Sequence, residues 1–315
     1  MGIVGPRRVR QGLGPFVARD LVTAGAEVPC FLVTSERSLA PARAELERHA
    51  GVSPRGYIDA ERMLDLEGLD ALAILSPAET HLEYLWRALR HGLAALCEKP
   101  LVWGSPGVAS LASDVVEDFL ERGLLLYENC QWPFALPAFA RLHPGALDAP
   151  PRSFRMELQP ASRGVQALGD SLPHPLSLLQ ALLPGDEPQI ADLAFSPRRA
   201  ASRSDPLTVR FRYESGQRRC DVEVVLVGSE RLPRHAALAI DGRAARRVVE
   251  PETYRLSFMA SDRSVPLDDP LTSLVADFVG RLRTPDEVDR GVRARDIEHR
   301  MRLLAELVHA YVHEE

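Results

Sequence analysis

Three side chains suited to acid–base chemistry stand in two short segments of the chain. Lys99 lies between an acid and a proline in Glu98–Lys99–Pro100, directly after a short apolar run. Asp170 and His174 lie four residues apart in the second segment. Histidine exchanges a proton near neutral pH, an ammonium group polarises an oxygen atom, and a carboxylate orients an imidazole or binds a hydroxyl. Together these groups suit proton removal from an alcohol and its return to a carbonyl.

Each of the three residues also has an ordinary structural explanation. A lysine judged alone is more often a surface residue, and aspartate is common in caps and turns. On a helix, a spacing of four places Asp170 and His174 on one face. Pro173 requires such a helix to begin near it, so the alternative is that Asp170 lies on the preceding loop.

The first part of the chain alternates short apolar runs with helical patterns. The strand-like runs cover 2–5, 28–34, 57–58, 71–75, 94–97 and 124–127. The helical patterns cover 14–24, 38–51, 78–91 and 106–121, with Ser38 as a predicted cap and glycines at several ends. Continuously apolar strands alternating with helices predict a parallel sheet covered on both faces.

A glycine-containing segment follows the first strand, where a dinucleotide site needs the backbone to approach a pyrophosphate at a helix N-terminus. The segment is longer than the usual pattern, has Val17 at the third glycine position and carries three arginines. Those arginines either contact phosphate or belong to a solvated surface loop. The predicted contacts in this segment are Gly5, Arg7, Arg8, Gly12, Gly14, Pro15 and Phe16.

The end of the second strand bears on which nicotinamide cofactor would bind. An acid usually binds the adenosine ribose of NAD there, whereas this chain has Ser35 followed by Arg37. A hydroxyl with a nearby guanidinium suits a 2′-phosphate, so NADP is favoured. Glu36 keeps NAD as the alternative.

The pattern changes near residues 144–151, after which apolar and charged residues alternate. Phe154, Met156 and Leu158 alternate with Arg155 and its neighbours, and similar runs follow. Such alternation is typical of a mainly antiparallel sheet with one exposed face. We therefore predict two domains, 1–128 and 129–315, with helices over 271–282 and 295–312, the last of which can pack back on the first domain.

Composition excludes several other classes of protein. The 315 residues are 45% hydrophobic, enough for a large core, and the net charge of −6 favours neither nucleic acid nor an anionic membrane as partner. Four cysteines without metal-ligand spacing, and the lack of a long apolar segment, predict a soluble cytoplasmic protein.

Several of these segments resemble one known family. Ser76–Pro77 followed by Thr80–His81 resembles its turn on the nicotinamide side, and residues 94–101 resemble its fifth strand with the Glu-Lys-Pro signature. Asp170 and His174 resemble its D-x-x-x-H motif, and the segment 269–278 its entry into a C-terminal helix. On these motifs the whole chain resembles the Gfo/Idh/MocA oxidoreductases.

The resemblance implies an α/β protein in two parts. The first is an N-terminal Rossmann domain with a doubly wound parallel sheet, and the second a C-terminal α/β domain with a mainly antiparallel open sheet. That open sheet often mediates oligomerisation, which implies a homodimer or homotetramer. Lys99, Asp170 and His174 would be the reacting or substrate-holding groups in hydride transfer with a nicotinamide cofactor.

Further cofactor contacts are implied at Ser76, Pro77, His81, Glu98 and Lys99. His81 has the alternative of a hydrogen bond within the first turn of its helix, and Glu98 that of a solvated acid. The family often has an Arg-Phe pair where this chain has Gln131–Trp132, and often an Asp where it has Ser177. Trp132 either forms the wall of a pocket or belongs to the core. The predicted substrate contacts are Lys99, Gln131, Trp132, Asp170 and His174.

The sequence thus predicts an enzyme that uses NADP or NAD to oxidise a secondary alcohol or to reduce a carbonyl. Family analogy makes the substrate a sugar, a cyclitol or a related polyhydroxylated small molecule. No metal is predicted. The alternatives are a cofactor-binding regulator or scaffold without turnover, and an interaction module that has lost nucleotide binding.

Overall fold

Two compact units make up the chain, according to a computed structural model that describes residues 1–7, 12–197, 205–250, 252–261 and 263–313. The first unit comprises Met1–Asn129 and Leu271–Met301, and the second comprises Cys130–Pro270 and Arg302–Glu315. Each contains its own β-sheet. The predicted boundary between residues 128 and 129 stays a prediction. Arg8, one of the predicted phosphate contacts, lies outside the described residues.

The first unit is built on six parallel strands in the order β3-β2-β1-β4-β5-β6. They are β1 Gly2–Val4, β2 Cys30–Leu32, β3 Arg55–Tyr57, β4 Ala71–Ile74, β5 Ala94–Cys97 and β6 Leu126–Glu128. All but β3 are buried along their whole length, as strands covered by helices on both faces must be. The predicted doubly wound parallel sheet is confirmed.

Seven helices accompany this sheet in the sequence. They are α1 Gly14–Thr23, α2 Leu39–Ala50, α3 Ala60–Leu66, α4 His81–Arg90 and α5 Val108–Glu121, followed near the C-terminus by α9 Pro270–Arg283 and α10 Glu287–His313. Helix α3 was not predicted. The predicted cap at Ser38 is wrong in its chemistry, because the hydroxyl of Ser38 pairs with that of Ser35 at 3.0 Å instead of capping α2.

Two glycines allow the loop after β1 to pack against neighbouring backbone. Gly5 has φ of +75°, and a Cβ there would lie 2.7 Å from the carbonyl oxygen of Leu75, directly after β4. A Cβ on Gly14, the first residue of α1, would lie 2.4 Å from the carbonyl carbon of Pro6. Such approaches are available only to glycine. Pro6 and the start of α1 therefore approach each other closely because position 14 is a glycine.

The second unit contains an eight-stranded sheet in the order β14-β13-β12-β11-β7-β10-β9-β8. Its strands are β7 Ser153–Leu158, β8 Gln189–Ser196, β9 Leu207–Ser215, β10 Arg218–Leu226, β11 Ala236–Ile240, β12 Arg243–Val249, β13 Leu256–Ala260 and β14 Arg263–Leu267. All neighbours pair antiparallel except β7 with β10. The predicted mainly antiparallel sheet is confirmed.

Alternation along these strands separates a buried face from an open one. In β9, Val209 and Phe211 are buried whereas Arg210 is exposed. Arg210 and Arg155 both pair with Glu223 across the open face. The described helices of this unit include α6 Leu136–Leu142, α7 Gly164–Ser171 and α8 Pro173–Leu182. Self-association through the open face stays a prediction.

We predict that Gly5→Ala destabilises the protein more than Gly51→Ala. Both glycines have positive φ, at +75° and +69°, but nothing among the described residues lies within 4 Å of a Cβ on Gly51. The Gly51 variant should therefore lose only the conformational cost, about 1 kcal/mol. The Gly5 variant should lose roughly 1–3 kcal/mol more, from overlap with the Leu75 backbone. Urea unfolding measures both, and equal losses would contradict the close packing described here.

Candidate active site

The residues that directly follow the strands of the first unit form a row at the carboxyl edge of its sheet. The amide of Leu75 donates to the Val4 carbonyl at 2.9 Å, and that of Glu98 donates to the Ile74 carbonyl at 2.9 Å. The strand order changes direction between β1 and β4, so ligands are expected outside this edge. Gly5, Ser76 and Lys99 all lie at this edge, one or two residues beyond their strands.

The Glu98 side chain is fixed by Asn129, the residue that directly follows β6. Its Oε1 atom accepts a hydrogen bond from the Asn129 amide, and the Asn129 backbone amide donates to the Cys97 carbonyl at 2.7 Å. Desolvation raises the pKa of Glu98, while the Lys99 ammonium and the Asn129 amide oppose the rise. Lys99 is partly exposed, and its peptide bond to Pro100 is cis. The acid is thus held in place while the amine reaches the surface.

A buried ion pair supports the segment just beyond Lys99. The Glu128 carboxylate, whose side chain is 0% exposed, accepts from Arg300 Nε at 2.6 Å. Its other oxygen accepts from the backbone amide of Leu101 at 2.9 Å. Neither Glu128 nor Arg300 was predicted from the sequence. An acid ending the apolar run of β6 was the available signal, because a buried carboxylate needs partners.

His81 joins two loops at the same edge. Its Nδ1 lies 2.9 Å from the Pro100 carbonyl oxygen and its Nε2 lies 2.9 Å from that of Ser76. The residue is only 1% exposed, and desolvation lowers its pKa against the opposing effect of these carbonyls and Glu128. This geometry favours a structural role that ties the β4 loop to the β5 loop. The contact of His81 with a cofactor stays a prediction.

We predict that Arg300→Leu lowers the free energy of unfolding by about 3–5 kcal/mol, because it leaves the Glu128 carboxylate buried without its cation. Adding Glu128→Gln to that variant removes the uncompensated charge and keeps an acceptor for Leu101. The double variant should therefore be more stable than Arg300→Leu alone. Denaturant unfolding of the wild type, both single variants and the double variant gives the four free energies of a double-mutant cycle. If the two single losses in unfolding free energy add up to that of the double variant, Glu128 and Arg300 are not coupled.

The predicted nucleotide contacts lie at the start of α1 and after β2. Gly12 and Gly14 flank the turn into α1, Pro15 occupies its first turn, and the Phe16 ring packs on His49 with 5.3 Å between centroids. The Arg7 guanidinium lies 3.6 Å from the Glu45 carboxylate. After β2, Ser35 is partly exposed and Arg37 is exposed. Each stays a predicted contact.

In the second unit, Asp170 and His174 belong to two consecutive helices. Asp170 lies in the last turn of α7 and His174 lies in the first turn of α8, with Leu172 at the junction. Neither a single helix nor a loop position for Asp170, the two alternatives from the sequence, describes this arrangement. Asp170 accepts hydrogen bonds from the Ser162 hydroxyl and from Gln166 Nε2 at 3.1 Å. Its carboxylate is therefore oriented, and both it and His174 are partly exposed.

Trp132 lies next to His174. The ring centroids are 6.3 Å apart in an edge-on arrangement, and the indole is 4% exposed. Gln131 precedes it, partly exposed, at the start of the short 3₁₀ helix Trp132–Ala135. The structure therefore brings Trp132, Gln131 and His174 into one neighbourhood of the second unit. The burial of Trp132 favours its interpretation as a core residue.

Residues 11–125 match the sequence model of a family described as "Oxidoreductase family, NAD-binding Rossmann fold". Over these residues the chain is similar to the Gfo/Idh/MocA oxidoreductases. The match covers strands β2 to β5 of the parallel sheet, leaves out β1 and β6, and confirms the resemblance drawn from the sequence motifs. Within the described residues, no helix is long and apolar enough to cross a membrane, and no group of three metal-ligating side chains is present.

Relatives with known activities share part or all of the fold. A dTDP-3,4-didehydro-2,6-dideoxy-alpha-D-glucose 3-reductase from Actinomadura kijaniata is 39% identical over 83 residues, which are 26% of this chain and 23% of that protein. The match spans about a quarter of the curated relative's length. The solved UDP-N-acetylglucosamine 3-dehydrogenase from Acidithiobacillus ferrooxidans has a TM-score of 0.68 at 20% identity, covering 99% of this chain and 98% of its own.

A 3-ketoreductase from Actinomadura kijaniata, solved in complex with NADP and TDP-benzene, has a TM-score of 0.68 at 18% identity. The alignment covers 97% of this chain and 95% of that one. Likenesses at this level of identity establish a shared fold over both units. They do not by themselves assign a substrate.

One further signal distinguishes Lys99 within this chain. It is the single lysine of the sequence, and the other 37 of the 38 lysine and arginine residues are arginine. An arginine keeps its charge at any physiological pH, whereas a lysine can release a proton. Lys99 is therefore the single side-chain amine of this chain, and it lies at the carboxyl edge of the first sheet. The sequence-based prediction did not use this signal.

Proposed function

We propose that this protein is an NAD(P)-dependent oxidoreductase that transfers a hydride between nicotinamide and a secondary alcohol or carbonyl. The position of its single lysine supports this most directly. Lys99 follows β5 at the carboxyl edge of an NAD-binding Rossmann sheet, on a segment held by Glu128. A regulator without turnover would have no chemical need for a lone titratable amine at that edge.

The loop at the start of α1 fits a dinucleotide. Gly5 and Gly14 bring the backbone so close to neighbouring chain that side chains there are excluded, which leaves main-chain groups to meet a pyrophosphate. The nicotinamide, when bound, accepts or supplies the hydride. Ser35 and Arg37 would hold a 2′-phosphate, and Glu36 a ribose hydroxyl, so NADP is favoured over NAD.

Three side chains would handle the substrate. In the oxidation direction the alcohol O–H proton passes to a base as the C–H hydride leaves, and the reverse direction returns that proton to the carbonyl oxygen. His174 would take and return the proton, and Lys99 would polarise the oxygen. Asp170, oriented by Ser162 and Gln166, would bind a neighbouring hydroxyl or orient the imidazole.

A polyhydroxylated substrate is supported by what the relatives act on. The partly matching reductase acts on a deoxysugar nucleotide by its name, and the UDP-N-acetylglucosamine 3-dehydrogenase acts on a sugar nucleotide by its name. We therefore propose a sugar, a cyclitol or a similar molecule as the substrate.

Two substitutions of Lys99 should separate the effect of its positive charge from the effect of the position of that charge. Lys99→Ala should abolish turnover, a loss of at least about 100-fold, while leaving the NADPH dissociation constant within about twofold. Lys99→Arg keeps the positive charge but places it on a larger planar group with different hydrogen-bond geometry, so it should restore turnover only in part. Steady-state rates with a panel of alcohols and ketones measure the effect. Full activity in the alanine variant would remove Lys99 from the mechanism.

The preference for NADPH over NADH should depend on Arg37. Nicotinamide fluorescence titrations are expected to show tighter binding of NADPH than of NADH. Arg37→Ala should weaken NADPH binding by about tenfold, a loss typical of one charge-assisted contact, and leave NADH unchanged.

Arg48→Ala is the matched control, because Arg48 is exposed near the other end of the adjoining helix α2. At that distance solvent ions screen its charge. A wild-type protein that prefers NADH would contradict the assignment to NADP, and binding of neither would contradict the proposed function.

A further inference from the structure

Position 247 lies on the core-facing side of the second unit's sheet and carries a charged, partly exposed residue. Arg247 pairs with Ala236 on β11 and with Phe258 on β13, which are 1% and 0% exposed. Side chains directly opposite each other in an antiparallel pair share a face of the sheet. The Arg247 side chain therefore starts from the face that buries Ala236 and Phe258. Arg246, one residue earlier, points to the other face and is exposed.

The guanidinium of Arg247 lies at this buried face, and one of its N–H groups has no acceptor among the described residues. Its Cζ lies 5.4 Å from the Trp132 ring centroid, and Nη2 donates to the Arg234 carbonyl at 3.2 Å. Its Nε is buried and has no hydrogen-bond partner among the residues that the structure describes. Loss of hydration lowers the pKa of Arg247 although the charge of Asp269 opposes this. A buried N–H without an acceptor is costly and indicates that an acceptor arrives from outside the chain.

The same neighbourhood contains the proposed substrate-holding residues. Trp132, on which Arg247 stacks, packs edge-on against His174. Arg234, whose carbonyl binds Arg247, faces the charge of Asp170. Burial lowers the pKa of Arg234 in spite of that carboxylate, so this guanidinium, like that of Arg247, lies in a partly desolvated neighbourhood. Asp170 already accepts from Ser162 and Gln166.

We propose that Arg247 and Arg234 bind an oxyanion, a phosphoryl or carboxylate group, that the polyhydroxylated substrate carries. The inference rests on the proposed function, because it takes Asp170 and His174 as the residues that hold the reacting part of the substrate. A guanidinium fork matches the oxygens of either group, and a partly desolvated site strengthens the contact. A neutral hydroxyl would satisfy the Nε–H but would not compensate the charge.

Calorimetric binding to the full-length protein tests this with three probes that differ in charge: α-D-glucose 1-phosphate, D-glucuronate and D-glucose. At least one charged probe should bind the wild type about tenfold or more tightly than D-glucose. Comparing the phosphate with the uronate then identifies the source of the oxyanion. Arg247→Gln should abolish the preference for the charged probe, and Arg247→Lys should keep part of it.

Arg246→Gln is the matched control, since it removes the neighbouring arginine from the opposite face, and it should leave the preference unchanged. Thermal unfolding of each variant separates lost binding from lost folding. Should Arg247→Gln not fold, Arg234→Gln and Arg247→Lys carry the comparison.

Equal affinity for charged and neutral probes, no binding of any probe, or an undiminished preference in Arg247→Gln would each overturn the inference. Turnover is measured separately. An oxidoreductase that turns over neutral polyols and their phosphorylated or carboxylated counterparts equally well, with KM values for both unaffected by Arg247→Gln, would keep the proposed function and overturn the oxyanion site. If the protein binds anions in a way that depends on Arg247 but shows no turnover, the oxyanion site stands and the proposed function is overturned.

Discussion

The buried carboxylate of Glu128 receives donors from parts of the chain that lie far apart in sequence. One is the Leu101 amide, two residues after Lys99, and the other is the Arg300 guanidinium on the last helix. Both charges have left water, so each depends on the other for compensation. The segment that carries Lys99 is consequently held in place by the hydrogen bond from Leu101 to the charged Glu128 carboxylate. Without the ion pair, the loop after β5 would lose the hydrogen-bond acceptor that fixes the position of Leu101.

His81 adds a second fixed point with a different chemical constraint. Both of its ring nitrogens face carbonyl oxygens, yet a neutral imidazole carries only one N–H. The protonated ring would satisfy both carbonyls, whereas burial disfavours the charge. His81 thus connects the two loops, but its burial carries a desolvation cost that an exposed histidine would not have. This explains how a residue with functional chemistry can be used for architecture.

The sequence was most informative where the signal is local. Apolar runs and their helices predicted the parallel sheet, and Glu98–Lys99–Pro100 was placed correctly at the end of β5. The Glu128–Arg300 pair was not predictable, because its partners are 172 residues apart and neither belongs to a motif. Pro173 did not allow the position of Asp170 to be predicted correctly. It does begin a helix, but the preceding residues form a separate helix, which a proline alone does not reveal.

The presence of a single lysine makes this chain unusually simple for amine chemistry. Reagents that acylate or reductively alkylate primary amines have one side chain to modify, besides the α-amino group, and that side chain is partly exposed at the edge of the Rossmann sheet. An isotope-labelled methyl placed there by reductive alkylation would give one side-chain resonance. A modification that elsewhere yields a mixture of products would here act as a site-directed probe.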